Sequence, residues 1–377
     1  MRPVFLLLAA LIAGSLAGYG LYLAFFQAAP LAAPPANTTG LPPPTMNQSG
    51  EGIRVTFIEA SDCGLCNTDG YVMQQAKTIL IQRAEVQVES ERTLPSSDPE
   101  AAALMSQYGI PVAPAVIVEG PVGDYPDLVS HWTQTLGIQS GDALISVPFP
   151  PYQVFATGQV VGLLEGVAIN PSDCRYCADG GSFIASLQGI PASMVFSETK
   201  TYFQDDPEAI ELIERLNITE IPTILLSDDV QSYPIYNELG NLGDVNDGWF
   251  VLRDVPAPYV DLPANETRGL VKTIYLFDQS CADCFDIRGF ASYLSDATGI
   301  AIEQETYFDV RSDDGAAIAR NYNVSRIPTL LLSPDADYYT GFREAWLAQG
   351  NSVEEDGWYV FRTQDLLEGI VYQNFTG

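Results

Sequence analysis

The sequence predicts an α/β protein built from three tandem domains, and two observations carry that prediction. All six cysteines fall into three Cys-x-x-Cys pairs: Cys63/Cys66, Cys174/Cys177 and Cys281/Cys284. The first cysteines recur at intervals of 111 and 107 residues, which is the period of whole domains and not of a solenoid. Around each pair the same succession of β-branched runs and helical stretches repeats. A chain of 377 residues, 47% of them hydrophobic, has material for several cores.

The chain opens with Pro3 to Phe26, apolar and small side chains without a charge, long enough to span a bilayer. Residues 1–27 therefore read as a transmembrane anchor, with a cleaved signal as the alternative. Arg2 is the only nearby charge, which keeps the short N-terminus cytoplasmic and sends the rest across. The expected location is a single-pass cell-membrane protein with its domains on the extracytoplasmic side, or a secreted one if the segment is cleaved. Disulfides persist there. Residues 28–52 are rich in Pro, Ala, Thr and Asn and read as an extended linker. The net charge of −31, with Lys only at positions 77, 200 and 272, repels nucleic acid and anionic headgroups.

Each repeat begins with a buried strand: "IRVTFIEA" from Ile53, "EGVAIN" from Glu165 and "KTIYLFD" from Lys272. The Cys pair follows, then a helix from Tyr71, Gly181 or Asp286. A second strand comes next, in "EVQVES", "ASMVFSE" and "IAIEQETYF". A second helix starts near Asp98, Asp206 and Asp313; in the first two copies Asp is a natural N-cap and Pro stands at N1. These helices end on Gly109, Asn217 and Asn323, residues that tolerate a left-handed cap. Capping explains Asn217 and Asn323 better than the glycosylation sequons they also begin. A proline then opens a third strand, at Pro114, Pro222 and Pro328, where its missing N–H does least harm. A last strand lies near "DALISV", "DGWFVLRDV" and "DGWYVFRT". The related joints "VPFPPYQ" and "VPAPYVD" mark boundaries, giving domains at 53–148, 149–257 and 258–377.

Strand, Cys-x-x-Cys, helix, strand, helix and a proline-opened strand resemble the thioredoxin-like superfamily. The three tandem copies are similar to multi-domain protein disulfide isomerases. The resemblance implies a central mixed sheet flanked by helices in each domain. It implies cis peptide bonds before Pro114, Pro222 and Pro328, facing the Cys pairs. It also implies that Cys63, Cys174 and Cys281 act as nucleophiles at helix N-termini, with Cys66, Cys177 and Cys284 resolving the mixed disulfides. Ala113, Ile221 and Ile327, with the prolines after them, would bind an extended substrate segment by strand addition. The substrates would be cysteine-containing extracytoplasmic proteins, served by a further redox partner. Six positions before the first cysteine, where many members carry an acid, this chain has Phe57, Ala168 and Tyr275.

Other readings stand beside this one. Zinc would need two pairs in one small site, whereas each pair heads its own domain, so no metal is expected. No Cys-x-x-Cys is followed by His, which excludes c-type haem attachment. No Gly-rich phosphate loop occurs, and no cofactor is expected. His131 reads as an ordinary surface or half-buried side chain. The array would instead be a non-catalytic binding or spacer module if its disulfides were permanent. If the pairs are active, local charge orders them. Arg175 makes the second pair the most oxidising and Asp283 makes the third the most reducing.

Overall fold

The computed structural model describes residues 52–81, 86–367 and 369–375. The expected anchor and all of the linker before Gly52 lie outside the described residues. Among the described residues no helix is long and apolar enough to cross a membrane.

The first unit is a five-stranded sheet of Ile53–Glu59, Val88–Pro95, Ala115–Glu119, Gly137–Ser140 and Ala143–Ser146. In space the order is second, first, third, fifth, fourth. The first two strands are parallel and the remaining pairings antiparallel. A parallel pair needs a crossover, and the helix Tyr71–Ile81 lies within it. The second unit repeats this order with Leu163–Asn170, Val195–Phe203, Thr223–Ser227, Gly243–Asn246 and Trp249–Leu252. The third does so with Leu270–Phe277, Ala301–Asp309, Thr329–Leu332, Ser352–Val353 and Tyr359–Val360.

Each sheet is covered on both faces. In the first unit Val55 and Phe57 enter one apolar cluster with Val72 and Met73, while Ile58 enters another with Ala101 and Met105. The alternation of strand side chains produces this division. Each fully buried side chain of this size contributes roughly 1.5–3 kcal/mol of transfer free energy. The second strand of every sheet is an edge, mostly exposed in the first two units and exposed or half-buried in the third. That is why its polar continuation, such as "SETKTYF" in the second unit, carries no apolar signature in the sequence.

The second helices run Pro99–Tyr108, Pro207–Leu216 and Asp313–Asn321. Gly109, Asn217 and Asn323 after them all adopt positive φ, of 65°, 52° and 47°. Asp98 caps its helix by accepting the Glu100 N–H. The third of these helices is capped by Ser312, whose hydroxyl accepts the Gly315 N–H, so its cap lies one residue before Asp313. His131 is exposed on the helix Pro126–Thr135.

The joints are not free linkers. Phe149 stacks at 4.5 Å on Tyr71 of the first unit and meets Tyr233 of the second edge-on at 6.0 Å. The segments just after it, and after Pro258, fold back onto the unit that precedes them, as described next.

Candidate functional site

All three Cys pairs are closed as disulfides, with Cα–Cα separations of 5.3, 5.4 and 5.4 Å. Each follows the first strand of its unit, as the spacing predicts. The local backbone differs between the copies. Cys63 caps a five-residue helix, Gly64–Thr68, and its Sγ accepts the Cys66 N–H at 3.2 Å. The second and third pairs instead lie in turns, and their helices, Gly180–Leu187 and Arg288–Thr298, begin after the second cysteine. The expected placement at a helix N-terminus therefore fails for Cys174 and Cys281. The reason is local: Asp179 caps the second helix by accepting the Gly181 N–H, which starts that helix past Cys177. One backbone donor remains, because Cys177 N–H reaches Cys174 Sγ at 3.1 Å.

Each loop has its own brace. Asn67 exchanges two hydrogen bonds with the backbone of Ala60, at 2.8 and 2.9 Å. Asn170 donates to Asp179 and accepts the Gly180 N–H, both at 2.9 Å. Asp278 accepts from Arg311 Nε at 2.8 Å and from the Ser280 hydroxyl and N–H. These donors, Arg311 first and Ser280 next, hold the Asp278 carboxyl well below the usual carboxylate range. It is therefore an anion fixed in a clasp. Asp179 is also lowered, chiefly by the Asn170 bond, against the effect of burial.

Exposure separates the pairs. Cys63 is 4% exposed and Cys66 0%, both inside the second apolar cluster of the first unit together with Ala113. The other four cysteines keep partial exposure. Cys281 and Cys284 open on a cavity of about 370 Å³ that Pro328, Phe285 and Tyr307 also line. Tyr275, at the position where an acid is common in the resembling family, lies in the same cavity wall. Its hydroxyl donates to Glu305 at 3.1 Å and its ring stacks on Tyr307 at 4.7 Å. Burial, then Glu305, pushes the Tyr275 phenol far above its ordinary value. Exposure thus separates the pairs on a ground other than the charge of Arg175 and Asp283, since the first pair is sealed and the other two are not.

The peptide bonds before Pro114, Pro222 and Pro328 are all cis, as expected. With the strand order and the disulfides, they decide the architecture. Each unit is thioredoxin-like. Sequence reasoning missed what lies beside these prolines. Val112–Ala113 pairs antiparallel with Tyr152–Val154, Glu220–Ile221 with Tyr259–Asp261, and Arg326–Ile327 with Gln373–Asn374. The edge expected to receive a substrate strand is filled by the chain itself in every unit. A signal for it existed in the repeated Tyr152-Gln153, Tyr259-Val260 and Tyr372-Gln373, which follow each unit.

Among the described residues no group of three His, Cys, Asp or Glu side chains is placed to hold a metal. A second cavity, of about 640 Å³, lies between the second and third units and is lined by Phe183, Leu187, Tyr259, Tyr338 and Glu220. It contains no cysteine.

No protein family is matched by the sequence, and no curated protein matches it. Solved structures do resemble it. Full-length ERdj5 is 7% identical over 86% of this chain and 45% of its own, with a TM-score of 0.16. Human ERp44 form II is 11% identical over 74% of this chain and 76% of its own, with a TM-score of 0.14. A protein disulfide oxidoreductase from Aeropyrum pernix K1 is 13% identical over 46% and 77%, with a TM-score of 0.15. This chain spans less than half the length of ERdj5. The fold follows from the strand order and from the positions of the disulfides and cis-prolines.

Proposed function

We propose that the chain is an extracytoplasmic, membrane-anchored thiol–disulfide oxidoreductase that works through its second and third Cys pairs on cysteines of other proteins. The observation that carries this reading is the partial exposure of Cys174/Cys177 and Cys281/Cys284, the latter on a cavity shared with Pro328. A substrate thiolate attacks Cys174 Sγ or Cys281 Sγ. The intramolecular S–S bond breaks, a mixed disulfide forms, and Cys177 or Cys284 leaves as the thiolate. A second substrate thiol then attacks the mixed disulfide. One protein disulfide and two thiols become a protein dithiol and one substrate disulfide. The reverse sequence reduces a substrate, and a separate redox partner resets the pair. The anchor belongs to the reading through the apolar run Pro3 to Phe26.

A specific observation favours a second reading for the first unit alone: Cys63–Cys66 is buried, as a static staple is. The test is the reduction potential of each pair, with Cys174→Ser and Cys281→Ser variants assayed on a disulfide-bonded protein substrate. Loss of exchange in both variants supports the proposal. Exchange that persists in the double variant, or pairs two and three that resist mild thiols, sinks it.

A further inference from the structure

We propose that the hairpin 152–161 is a shutter over the first Cys pair, latched by Gln153. This goes beyond the exchange reading, which rests on the second and third pairs, by naming what controls access to the first. Three observations carry it. First, the strand Tyr152–Val154 pairs in register with Val112–Ala113, placing Gln153 opposite Ala113, the residue before Pro114. The Phe155 N–H also donates to Pro111 C=O at 2.9 Å. The same outer bond recurs as Leu262 N–H to Thr219 C=O and Phe375 N–H to Ser325 C=O. One geometry thus fills three equivalent edges, so what occupies these edges is an antiparallel strand.

Second, only the first of these strands also closes over its disulfide. The Gln153 side chain, 5% exposed, crosses from the hairpin to the cysteine loop. Its Nε2 donates to Asp62 Oδ2 at 2.7 Å and to Gly158 C=O at 3.2 Å, and its Oε1 accepts the Asp62 N–H at 3.4 Å. Asp62 immediately precedes Cys63. Third, Val160 of the hairpin packs on the cluster that holds Cys63 and Cys66. At the third unit Val371, two residues before the corresponding strand, accepts the Phe285 N–H at 3.1 Å, and the cysteines there stay half-exposed.

The test uses the full chain and a small dithiol reductant, with alkylation and mass spectrometry reading each pair separately. In the wild type the first pair is expected to be reduced last, at least about tenfold more slowly than the other two. Gln153→Ala removes the latch while keeping the backbone pairing. It is expected to speed reduction of the first pair roughly tenfold, as loss of a charge-assisted hydrogen bond allows, with pairs two and three unchanged. Asp62→Ala cuts the same latch from the other end and should do the same. Three results would overturn the proposal. They are equal reduction of all pairs in the wild type, faster reduction of all three pairs alike in the latch variants, and a first pair that stays inert in both variants. An inert second and third pair would defeat the oxidoreductase reading but would leave the effect of the latch on the first pair measurable.

Discussion

Replacing Asn170 with Ala tests whether the second cysteine loop is held by the strand that precedes it. Asn170 is 9% exposed at the end of the strand Leu163–Asn170. Its Oδ1 accepts the Gly180 N–H at 2.9 Å, and Gly180 is buried. Losing that acceptor leaves a buried donor without its partner, at a cost of about 1–3 kcal/mol. Its Nδ2 donates to Asp179, a carboxylate that water reaches, so this bond adds only about 0.2–1 kcal/mol after screening. The sum is about 2 kcal/mol, which lowers the melting temperature of a unit this size by about 10 °C. The Asp179 carboxyl is lowered in the folded chain, first by the Asn170 bond. A depressed carboxylate adds stability above its unfolded pKa and loses it as pH falls through the folded value. The gap between variant and wild type should therefore be widest at neutral pH and should narrow below about pH 4. Calorimetry at pH 7 and pH 3 measures both, with hydrogen exchange assigning the transition to the second unit. A loss below about 0.5 kcal/mol, the floor for a net hydrogen bond, would refute the reasoning, as would a gap that does not change with pH.

Other outcomes are expected on the same grounds. Tyr233→Phe removes a hydroxyl that donates to Gly162 C=O at 2.8 Å and accepts the Val195 N–H at 3.1 Å, both in the interior. Denaturant titration should show a loss of about 2–3 kcal/mol. Tyr339→Phe, which breaks the matching bonds to Gly269 and Ala301 in the third unit, should behave alike. Gly180→Ala places a Cβ 3.1 Å from Ala168 Cβ and 3.2 Å from Thr223 C=O, so thermal melts should show about 1–3 kcal/mol of overpacking. Arg311→Gln releases the Asp278 carboxyl toward ordinary values. Acid unfolding of the third unit should then begin at a higher pH, since stability that rests on a depressed carboxylate is lost as pH falls through its folded pKa.

The sequence by itself determined the number of units, the first and third strands, the cysteine loops and the prolines that open the third strands. Those features are written in local chemistry: buried first and third strands must be apolar along their length, and Gly109, Asn217 and Asn323 supply the left-handed caps that end the second helices. The edge strands Val195–Phe203 and Ala301–Asp309 were legible only in part, because one face and one edge meet water and impose no apolar pattern. Where each helix starts relative to its cysteines was not legible either, since it turns on which side chain reaches the free N–H groups, Cys63 in the first unit and Asp179 in the second. Tertiary structure alone decided that Tyr152–Val154, Tyr259–Asp261 and Gln373–Asn374 lie beside the cis-prolines. It alone decided that the first disulfide is sealed while the other two are not. Backbone pairing between segments some forty residues apart asks little of the side chains involved, so three strands can fill three equivalent edges with only a shared tyrosine to announce them.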